Sequence, residues 1–392
     1  MDGATWFKNA IIYHILIDRF AGFTDEKNWQ KPEFIGGTIQ GITNKIPYLK
    51  DLGVTTLWIS PFYQTSAYHG YHITDFYSVD TRFGEKKDIE VLIRKLHENN
   101  MTIIADFVPN HCSKHHPFFK QAQSNKDSEF YDWFLFTKWP DAYQCFLSIN
   151  DLPKINLNNQ KAKNHITNAA KYWLNLGFDG FRLDHVIGPS FHFWKEFNRD
   201  IKSEFPNAVL IGEAWMKGIK AYELSTIQIK HPFLVWLFSR FTSDNLQKQY
   251  NSVLDGVLDF TFQEYIRRYC IESQYSEKKL KRKLKRHYHR FEENFYLPTF
   301  LDNHDMDRIL FSCNNNKEKL KQAISIQFSQ HQPAIIYYGD EIGMTQEKSV
   351  WSQSSHGDVQ ARQPMQWNAI NIDILSYYKR VIANKKSNQV TN

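Results

Sequence analysis

GFDGFRLDH, residues 177–185, is the stretch from which the fold of this chain can be worked out. It closes a short apolar run with an acid, Asp184, and such a run is typical of a buried parallel strand. Because side chains two residues apart in a strand face the same way, we expect Arg182 and Asp184 to point into the same space. A cation at that distance favours the ionised form of Asp184, which a nucleophile requires.

A second carboxylate ends the next apolar run along the chain. Glu213 lies in LIGEAW, residues 210–215, and about one helix's worth of sequence separates it from Asp184. This spacing predicts two consecutive strands of a βαβ unit, each ending in an acid. Beside Trp215, Glu213 could sit in a drier place that raises its pKa and keeps a proton available. One charged and one protonated carboxylate are what a retaining glycosidase uses, although either acid alone could instead cap the following helix.

Apolar segments followed by helical patterns recur along the whole chain. Amphipathic stretches such as 86–100, 164–176 and 191–204 lie between them. Eight such alternations predict an α/β fold, a closed (β/α)8 barrel with its site at the carboxyl ends of the strands. The predicted strands are 11–17, 54–60, 102–108, 178–184, 208–213, 256–262, 296–302 and 333–339.

One connection departs from this alternation of strands and helices. After the third predicted strand, residues 112–157 are rich in aromatic and turn residues before the next clear helix. Because a structureless loop of that length is uncommon in a compact domain, we expect a small inserted domain there. Residues 1–111 and 158–392 would form the barrel, with no obvious β-sandwich after its last strand. Candidates for lining a cleft within the insertion are Trp133, Trp139, Tyr143 and Phe146.

Further polar motifs follow other predicted strands on the same rim. DFVPNH (residues 106–111) ends the third strand, and FLDNHD (300–305) ends the seventh. GYHITDF (70–76) follows the second strand, and YYGDEIG (337–343) follows the eighth. A single histidine in such a motif is more often structural than functional. Together, however, the motifs would surround a ring-sized pocket with hydrogen-bond donors and acids.

These motifs closely resemble those of the α-amylase family of glycoside hydrolases. Four short family motifs occur in order at 106–111, 180–185, 213–215 and 300–305, and the similarity runs from about Trp6 to Trp367. The resemblance implies that Asp184 is the nucleophile, Glu213 the general acid/base and Asp305 the carboxylate that grips sugar hydroxyls. It also implies that residues 112–157 are the family's B domain. The implied substrate-binding residues are Tyr71, His111, Arg182, His185, Trp215, His304 and Arg308.

Within that family, DLPKIN (residues 151–156) is similar to the insertion motif of the neopullulanase, cyclomaltodextrinase and maltogenic amylase group. Typical α-amylases carry a calcium-binding aspartate where Lys154 stands. An ammonium can occupy the space of a cation but cannot ligate one, so we expect no metal cofactor, although Asn110 remains a possible calcium ligand. ARQPMQW (361–367) instead resembles the α-glucosidase branch. Because the chain begins almost at its first strand, without the amino-terminal domain through which the neopullulanase group dimerises, a monomer is favoured.

Bulk composition limits the other partners. The formal charge of +6 comes largely from residues 278–286, where Leu280 and Leu284 indicate a solvated helix with a narrow apolar stripe. We therefore expect no nucleic-acid partner, and no membrane partner because no run of about twenty apolar residues occurs. The four cysteines indicate free thiols, with a Cys112–Cys145 disulfide as the alternative. No signal peptide is visible, so a cytoplasmic location is expected.

The sequence thus predicts a retaining hydrolase of α-1,4-glucosidic bonds in maltooligosaccharides or cyclodextrins, with possible transglycosylation. An α-glucosidase, an oligo-1,6-glucosidase or a glucan transferase of the same family would carry the same acids. A non-catalytic carbohydrate-binding protein is a remote alternative, because a decayed site would be expected to lose at least one of Asp184, Glu213 and Asp305. Linkage and chain-length preference depend on loop shapes, which motif spacing does not define.

Overall fold

The computed structural model describes residues 4–23, 29–239, 243–352 and 356–390. By its internal contacts the chain divides into two compact units. Unit one consists of Met1–Ala4, Pro61–Thr81 and Ile104–Val257, and unit two of Thr5–Ser60, Arg82–Ile103 and Leu258–Asn392. Each unit contains part of the parallel β-structure and has a buried apolar core of its own.

Strands and helices alternate along the described residues, as expected for an α/β protein. In chain order the strands are β1 Ile11–Ile15, β2 Thr56–Ile59, β3 Tyr63–Thr65, β4 Ile73–Val79, β5 Thr102–Phe107, β6 Phe136–Lys138, β7 Ala142–Tyr143, β8 Gly180–Leu183, β9 Val209–Gly212, β10 Gly256–Val257 and β11 Ala334–Tyr337. The α-helices are α1 Ile17–Phe20, α2 Ile39–Asn44, α3 Ile46–Leu52, α4 Lys86–Glu98, α5 Pro117–Ser124, α6 Gln160–Leu176, α7 Phe191–Glu204, α8 Pro232–Ser239, α9 Asp244–Gln247, α10 Phe260–Ile266, α11 Glu277–Tyr288, α12 Ile309–Ser312, α13 Lys317–Phe328 and α14 Ile372–Val390.

In unit one, parallel strands lie side by side in the order β10-β9-β8-β5. Residues 104–107 of β5 pair with 180–183 of β8, and this register sets Asp106 opposite Arg182. All residues of β8 and β9 are buried, which explains why their sequences are continuous apolar runs. Gly180 has a φ of +153°, and a Cβ there would lie 2.2 Å from Val209 O. Glycine at this position therefore permits the close approach of β8 and β9.

The helices of unit one have caps that the sequence supplies. The side chain of Asn159 accepts from the backbone at the start of α6, and Gly177 caps the end of this helix in the left-handed conformation. α7 has the predicted bounds and is capped by Ser190. The fully buried Trp194 of α7 donates its indole N–H to Val186 O at 2.8 Å, which anchors this helix to the segment that follows β8.

Residues 112–157 lie within unit one and contain secondary structure of their own, namely α5, the antiparallel strands β6 and β7, and two 3-10 turns. An antiparallel bridge between His111 and Lys154 brings the two ends of this segment together. Trp133 is 7% exposed and packs against Phe118 and Phe130, so it belongs to the interior of the segment rather than to a cleft. The boundaries of an inserted B domain stay a prediction.

Unit two holds β2, β1 and β11 as parallel neighbours. The predicted strand at 296–302 was wrong in extent, because Thr299 makes only an isolated parallel bridge to Ala334. The predicted strand at 256–262 is shortened to β10, since Asp259 caps α10 by accepting from Phe262 N at 2.9 Å. At 259–262 the cap and the helix that it begins take the backbone groups that a longer strand would need.

The basic run forms α11, as predicted. Leu280 and Leu284 are buried, and most of the lysines and arginines of the helix face solvent. All four cysteines are free thiols, so the alternative Cys112–Cys145 disulfide is wrong. Across the described part of the chain, every helix is too short or too polar to cross a membrane.

Candidate active site

Asp184 and Glu213 each lie one residue beyond the end of a buried strand of unit one. Asp184 N donates to Phe107 O of β5 at 2.8 Å, and Glu213 N donates to Leu183 O of β8 at 2.9 Å. The parallel hydrogen-bond ladder therefore continues through both acids. Because the backbone at these positions is held by neighbouring strands, the two carboxylates project from rigid supports.

Arg182 is the centre around which the acids of unit one gather. Its Nη1 lies 2.7 Å from Asp106 Oδ1 and 2.8 Å from Asp184 Oδ1. Its Nη2 lies 2.6 Å from Glu213 Oε1. The predicted proximity of Arg182 and Asp184 is confirmed, and the same guanidinium also holds Glu213.

The charges in this cluster do not balance when every group is ionised. Three carboxylates share one guanidinium, and all four side chains are at most 10% exposed. Burial raises the pKa of Asp184 well above its ordinary range; Arg182 opposes this shift, while the charges of Glu213 and Asp106 add to it. The expectation that Arg182 simply keeps Asp184 ionised was therefore incomplete. The pKa of Asp184 therefore depends on all three charged partners together, because the carboxylates titrate as a coupled group.

His185 connects the two acids through a strained backbone. Its φ is +43°, which is unusual for a residue with a side chain, and such strain concentrates at functional sites. In this conformation His185 N donates to Glu213 Oε2 at 3.2 Å. Burial, together with the charges of Lys154 and Arg182, lowers the pKa of His185 to about 3, so its ring is neutral.

Two further predicted residues lie in the same cluster. Tyr71 OH donates to Asp106 Oδ2 at 2.7 Å. The ring of His111 stacks on Phe146 with centroids 4.5 Å apart, and Phe146 meets His185 edge-on at 4.6 Å. Burial lowers the pKa of His111 well below its ordinary value. Among the described residues His111 Nε2 is buried and has no hydrogen-bond partner.

Unit two contains the other predicted acid. Asp305 Oδ2 lies 3.1 Å from His304 Nε2, and Asp305 Oδ1 lies 2.7 Å from Arg362 Nη2. The ring of His304 packs edge-on against His14, which stacks on Trp58 at 3.7 Å. His304 is thus held by aromatic side chains from β1 and β2.

Comparison with known proteins identifies the family of this chain. The family model for the α-amylase catalytic domain matches residues 14–389. The chain belongs to the α-amylase family. This match and the structural similarity described next confirm the predicted fold class, an α/β protein of the (β/α)8-barrel type.

Individual relatives support the subgroup predicted from sequence. Alpha-amylase 2 of Dictyoglomus thermophilum is 34% identical over 391 residues, which cover 98% of this chain and 64% of that protein. Neopullulanase 2 of Thermoactinomyces vulgaris is 28% identical over 401 residues, covering 96% and 62%. A solved cyclomaltodextrinase structure superposes with a TM-score of 0.84 at 25% identity, covering 99% of this chain and 64% of that one. The chain therefore spans less than two thirds of the length of each of these relatives.

The predicted family site residues fall into groups. Unit one brings together Asp184 and Glu213 with four substrate-binding candidates, Tyr71, His111, Arg182 and His185. Unit two brings together His304 and Asp305. Trp215 is half-buried, two residues after Glu213. Arg308 has no exposed surface and donates to Tyr338 O at 2.9 Å, so the structure assigns it to the interior of unit two instead of a sugar contact.

Sequence reasoning did not single out two residues that contact the predicted acids. Asp106 was quoted only as part of a motif, yet it shares Arg182 with the acids. The register of β5 against β8 would have indicated it. Arg362 was noted only as a subgroup marker, and no local pattern connects it with Asp305, which precedes it by 57 residues.

By the resemblance drawn from sequence, Lys154 stands where typical α-amylases carry a calcium-binding aspartate. Its Nζ donates to Gly188 O at 2.9 Å and to Thr226 O at 2.5 Å. Burial lowers the pKa of Lys154 to about 8. The two carbonyl oxygens therefore already accept from a buried ammonium, which does not suit a calcium site at the same point. Within the described ranges, no three histidine, cysteine or acidic residues group closely enough to hold a metal ion.

Proposed function

We propose that this chain is a retaining α-glucan hydrolase that cleaves α-1,4-glucosidic bonds of maltooligosaccharides or cyclodextrins. The observation that carries the proposal is the arrangement of Asp184 and Glu213 on the two terminal nitrogens of Arg182. Two carboxylates fixed on adjacent strand ends are the minimum for acid-assisted displacement at an anomeric carbon. Membership of the α-amylase family and similarity to a neopullulanase and a cyclomaltodextrinase support the substrate class.

In the first step, Glu213 gives its proton to the glycosidic oxygen as the bond from that oxygen to the anomeric carbon breaks. A carboxylate oxygen of Asp184 bonds to the anomeric carbon and forms a glycosyl ester. We propose that Glu213 is the protonated acid of the pair in the productive complex. Arg182 stays with Asp184 and Asp106 and favours their ionised forms.

In the second step, Glu213 takes a proton from water, the water oxygen bonds to the anomeric carbon, and Asp184 leaves as a carboxylate. Two displacements retain the α configuration. A sugar hydroxyl that replaces the water gives transglycosylation through the same intermediate. A glucan transferase would use the same acids, and products longer than the substrate would identify it.

Other residues have proposed roles in binding the sugar. Asp305 would stabilise the positive charge that develops on the ring, since a nearby carboxylate helps most in the transition state. His111, whose ring is neutral and whose Nε2 has no hydrogen-bond partner among the described residues, would bind a sugar hydroxyl. Phe146, which packs on His111 and His185, would offer an apolar ring to a sugar face.

We further propose that the enzyme needs no calcium at the family site, because Lys154 supplies the positive charge there. Its contacts with Gly188 O and Thr226 O support this role. The monomeric state, the cytoplasmic location and the absence of nucleic-acid and membrane partners stay predictions.

The deciding experiment compares wild type with E213Q on maltoheptaose, β-cyclodextrin, pullulan and isomaltose. Glutamine keeps the shape of Glu213 but cannot donate the proton, so kcat should fall by orders of magnitude while substrate affinity is nearly unchanged. E223Q is the matched control, because Glu223 is equally buried and serves to accept from Lys220 N.

Near-normal turnover by E213Q would show that the acid is misassigned. If wild type hydrolyses isomaltose but none of the α-1,4-linked substrates, the oligo-1,6-glucosidase alternative replaces the proposal. If wild type binds these glucans without hydrolysing any of them, the protein is a non-catalytic binder.

A further inference from the structure

Among the described residues, Arg362 donates to the proposed transition-state carboxylate, to the backbone just before it and to Asp358. We propose that Arg362 is a positioning residue, which holds the side chain of Asp305 and the backbone before it in the orientation that the reaction uses. The proposal rests on the role of Asp305 in the proposed function. Arg362 lies 57 residues after Asp305, in the segment of unit two that follows β11.

The contacts use all three nitrogens of the guanidinium. Nη2 donates to Asp305 Oδ1 at 2.7 Å, Nε donates to His304 O at 2.9 Å, and Nη1 donates to Asp358 Oδ2 at 2.5 Å. Because the guanidinium is planar and rigid, its orientation is defined once two of these bonds form. The third nitrogen then sets the direction from which Asp305 is held.

Burial makes this arrangement rigid while it leaves Asp305 accessible. The side chain of Arg362 is 9% exposed, whereas that of Asp305 is 32% exposed. Asp305 also has His304 Nε2 at 3.1 Å from its second oxygen. Its carboxylate is therefore held at both oxygens, and about a third of its surface remains open to a ligand.

Arg362 is itself supported by the connection that follows β11. Asp358 is four residues earlier, within the 3-10 turn Gly357–Gln360, and forms the ion pair with Nη1. The pair ties Arg362 to its own loop, and the contacts with His304 and Asp305 tie that loop to the acid. Loss of Arg362 would free the Asp305 side chain to rotate, which costs orientation in the transition state.

The first test measures kcat and KM for maltoheptaose with wild type, R362A and R362K. We expect kcat of R362A to fall about 10- to 100-fold with KM changed less than about threefold, because displacement of a catalytic group by about 1 Å has costs of this size. Lysine keeps the charge but lacks the fork, so R362K should recover only part of the loss. R268A is the control, since Arg268 is a half-buried arginine of the same unit that makes an ion pair with Glu264.

The second readout is chemical rescue. Guanidinium chloride at millimolar concentration should raise kcat of R362A, because the ion can enter the space of the lost side chain, and should leave R268A unchanged. A kcat of R362A within twofold of wild type would overturn the proposal. A loss of kcat that follows only the folded fraction, measured by melting temperature, and that guanidinium does not relieve would also overturn it.

If R362A does not fold, R362K is the variant that tests the proposal. A kcat of R362K equal to that of wild type would refute it, because lysine lacks the forked guanidinium. Failure of the underlying function is distinguishable from these outcomes. In that case wild type and R268A also hydrolyse no α-glucan, and the proposal for Arg362 falls together with it.

Discussion

The buried side chain of Lys154 should make the stability of the folded protein depend on pH, and this can be tested by substitution. K154M removes the ammonium that donates to Gly188 O and Thr226 O and replaces it with an apolar side chain of similar length. Burial lowers the pKa of Lys154 from 10.5 to about 8. Since the unfolded chain keeps the ordinary value, it binds more protons than the folded state between pH 8 and 10.5. The stability of wild type relative to K154M should therefore rise with pH across that window.

The size of the effect follows from the change in pKa. A fall from 10.5 to about 8 corresponds to about 3 kcal/mol, at roughly 1.4 kcal/mol per pKa unit. Unfolding entropies of about 2.1 cal/mol/K per residue give roughly 0.8 kcal/mol/K for a chain of 392 residues. The difference in melting temperature between wild type and K154M should therefore change by about 4 °C between pH 7.5 and 10.5.

The assay is differential scanning fluorimetry of wild type, K154M and K161M across that pH range. Lys161 has a side chain that is 70% exposed, so K161M should follow wild type at every pH. A constant difference between wild type and K154M would refute the reasoning, because it would mean that the ammonium is solvated in the folded state. The same series with a chelator should give unchanged melting temperatures, and a large drop in wild type would contradict the proposal that Lys154 replaces calcium.

Two further predictions concern the active site and the insertion. D106N removes a negative charge that raises the pKa of Asp184. The acidic limb of the pH profile of kcat/KM should therefore move to lower pH. An acidic limb at the same or a higher pH would contradict the shared-charge arrangement. W133A should lower the free energy of unfolding by about 3–5 kcal/mol because Trp133 is an interior residue, measured by urea denaturation. F146A should instead lower activity with little loss of stability, and the reverse order of effects would mean that the two roles are exchanged.

Features that depend on neighbours in the sequence were predicted well. The alternation of side chains in a strand indicated that Arg182 meets Asp184, and the spacing of Leu280 and Leu284 indicated the buried stripe of α11. The bounds of α7 were also predicted, because its apolar residues recur at helical spacing. Such patterns act over a few residues and are visible without knowledge of the tertiary fold.

The prediction of a strand at 296–302 was wrong in extent because strand length is not a local property. Its residues have the apolar composition of a strand, but the structure forms only the bridge between Thr299 and Ala334. Composition indicates a buried segment, whereas the number of residues that pair depends on the partner strand. The prediction for the charge of Asp184 was incomplete because it also depends on a neighbouring strand. Asp106, which shares Arg182 with Asp184, comes from that strand.

By itself, the sequence determined the family, the fold class and the acids that end the strands of unit one, because each of these is a local pattern repeated in a set order. Only the tertiary structure decided that Asp106, Asp184 and Glu213 share Arg182, and that Lys154 donates to Gly188 and Thr226. It also brought Arg362 to Asp305 across 57 residues. These contacts depend on strand register and on the paths of loops, and neither is encoded in residue spacing along the chain.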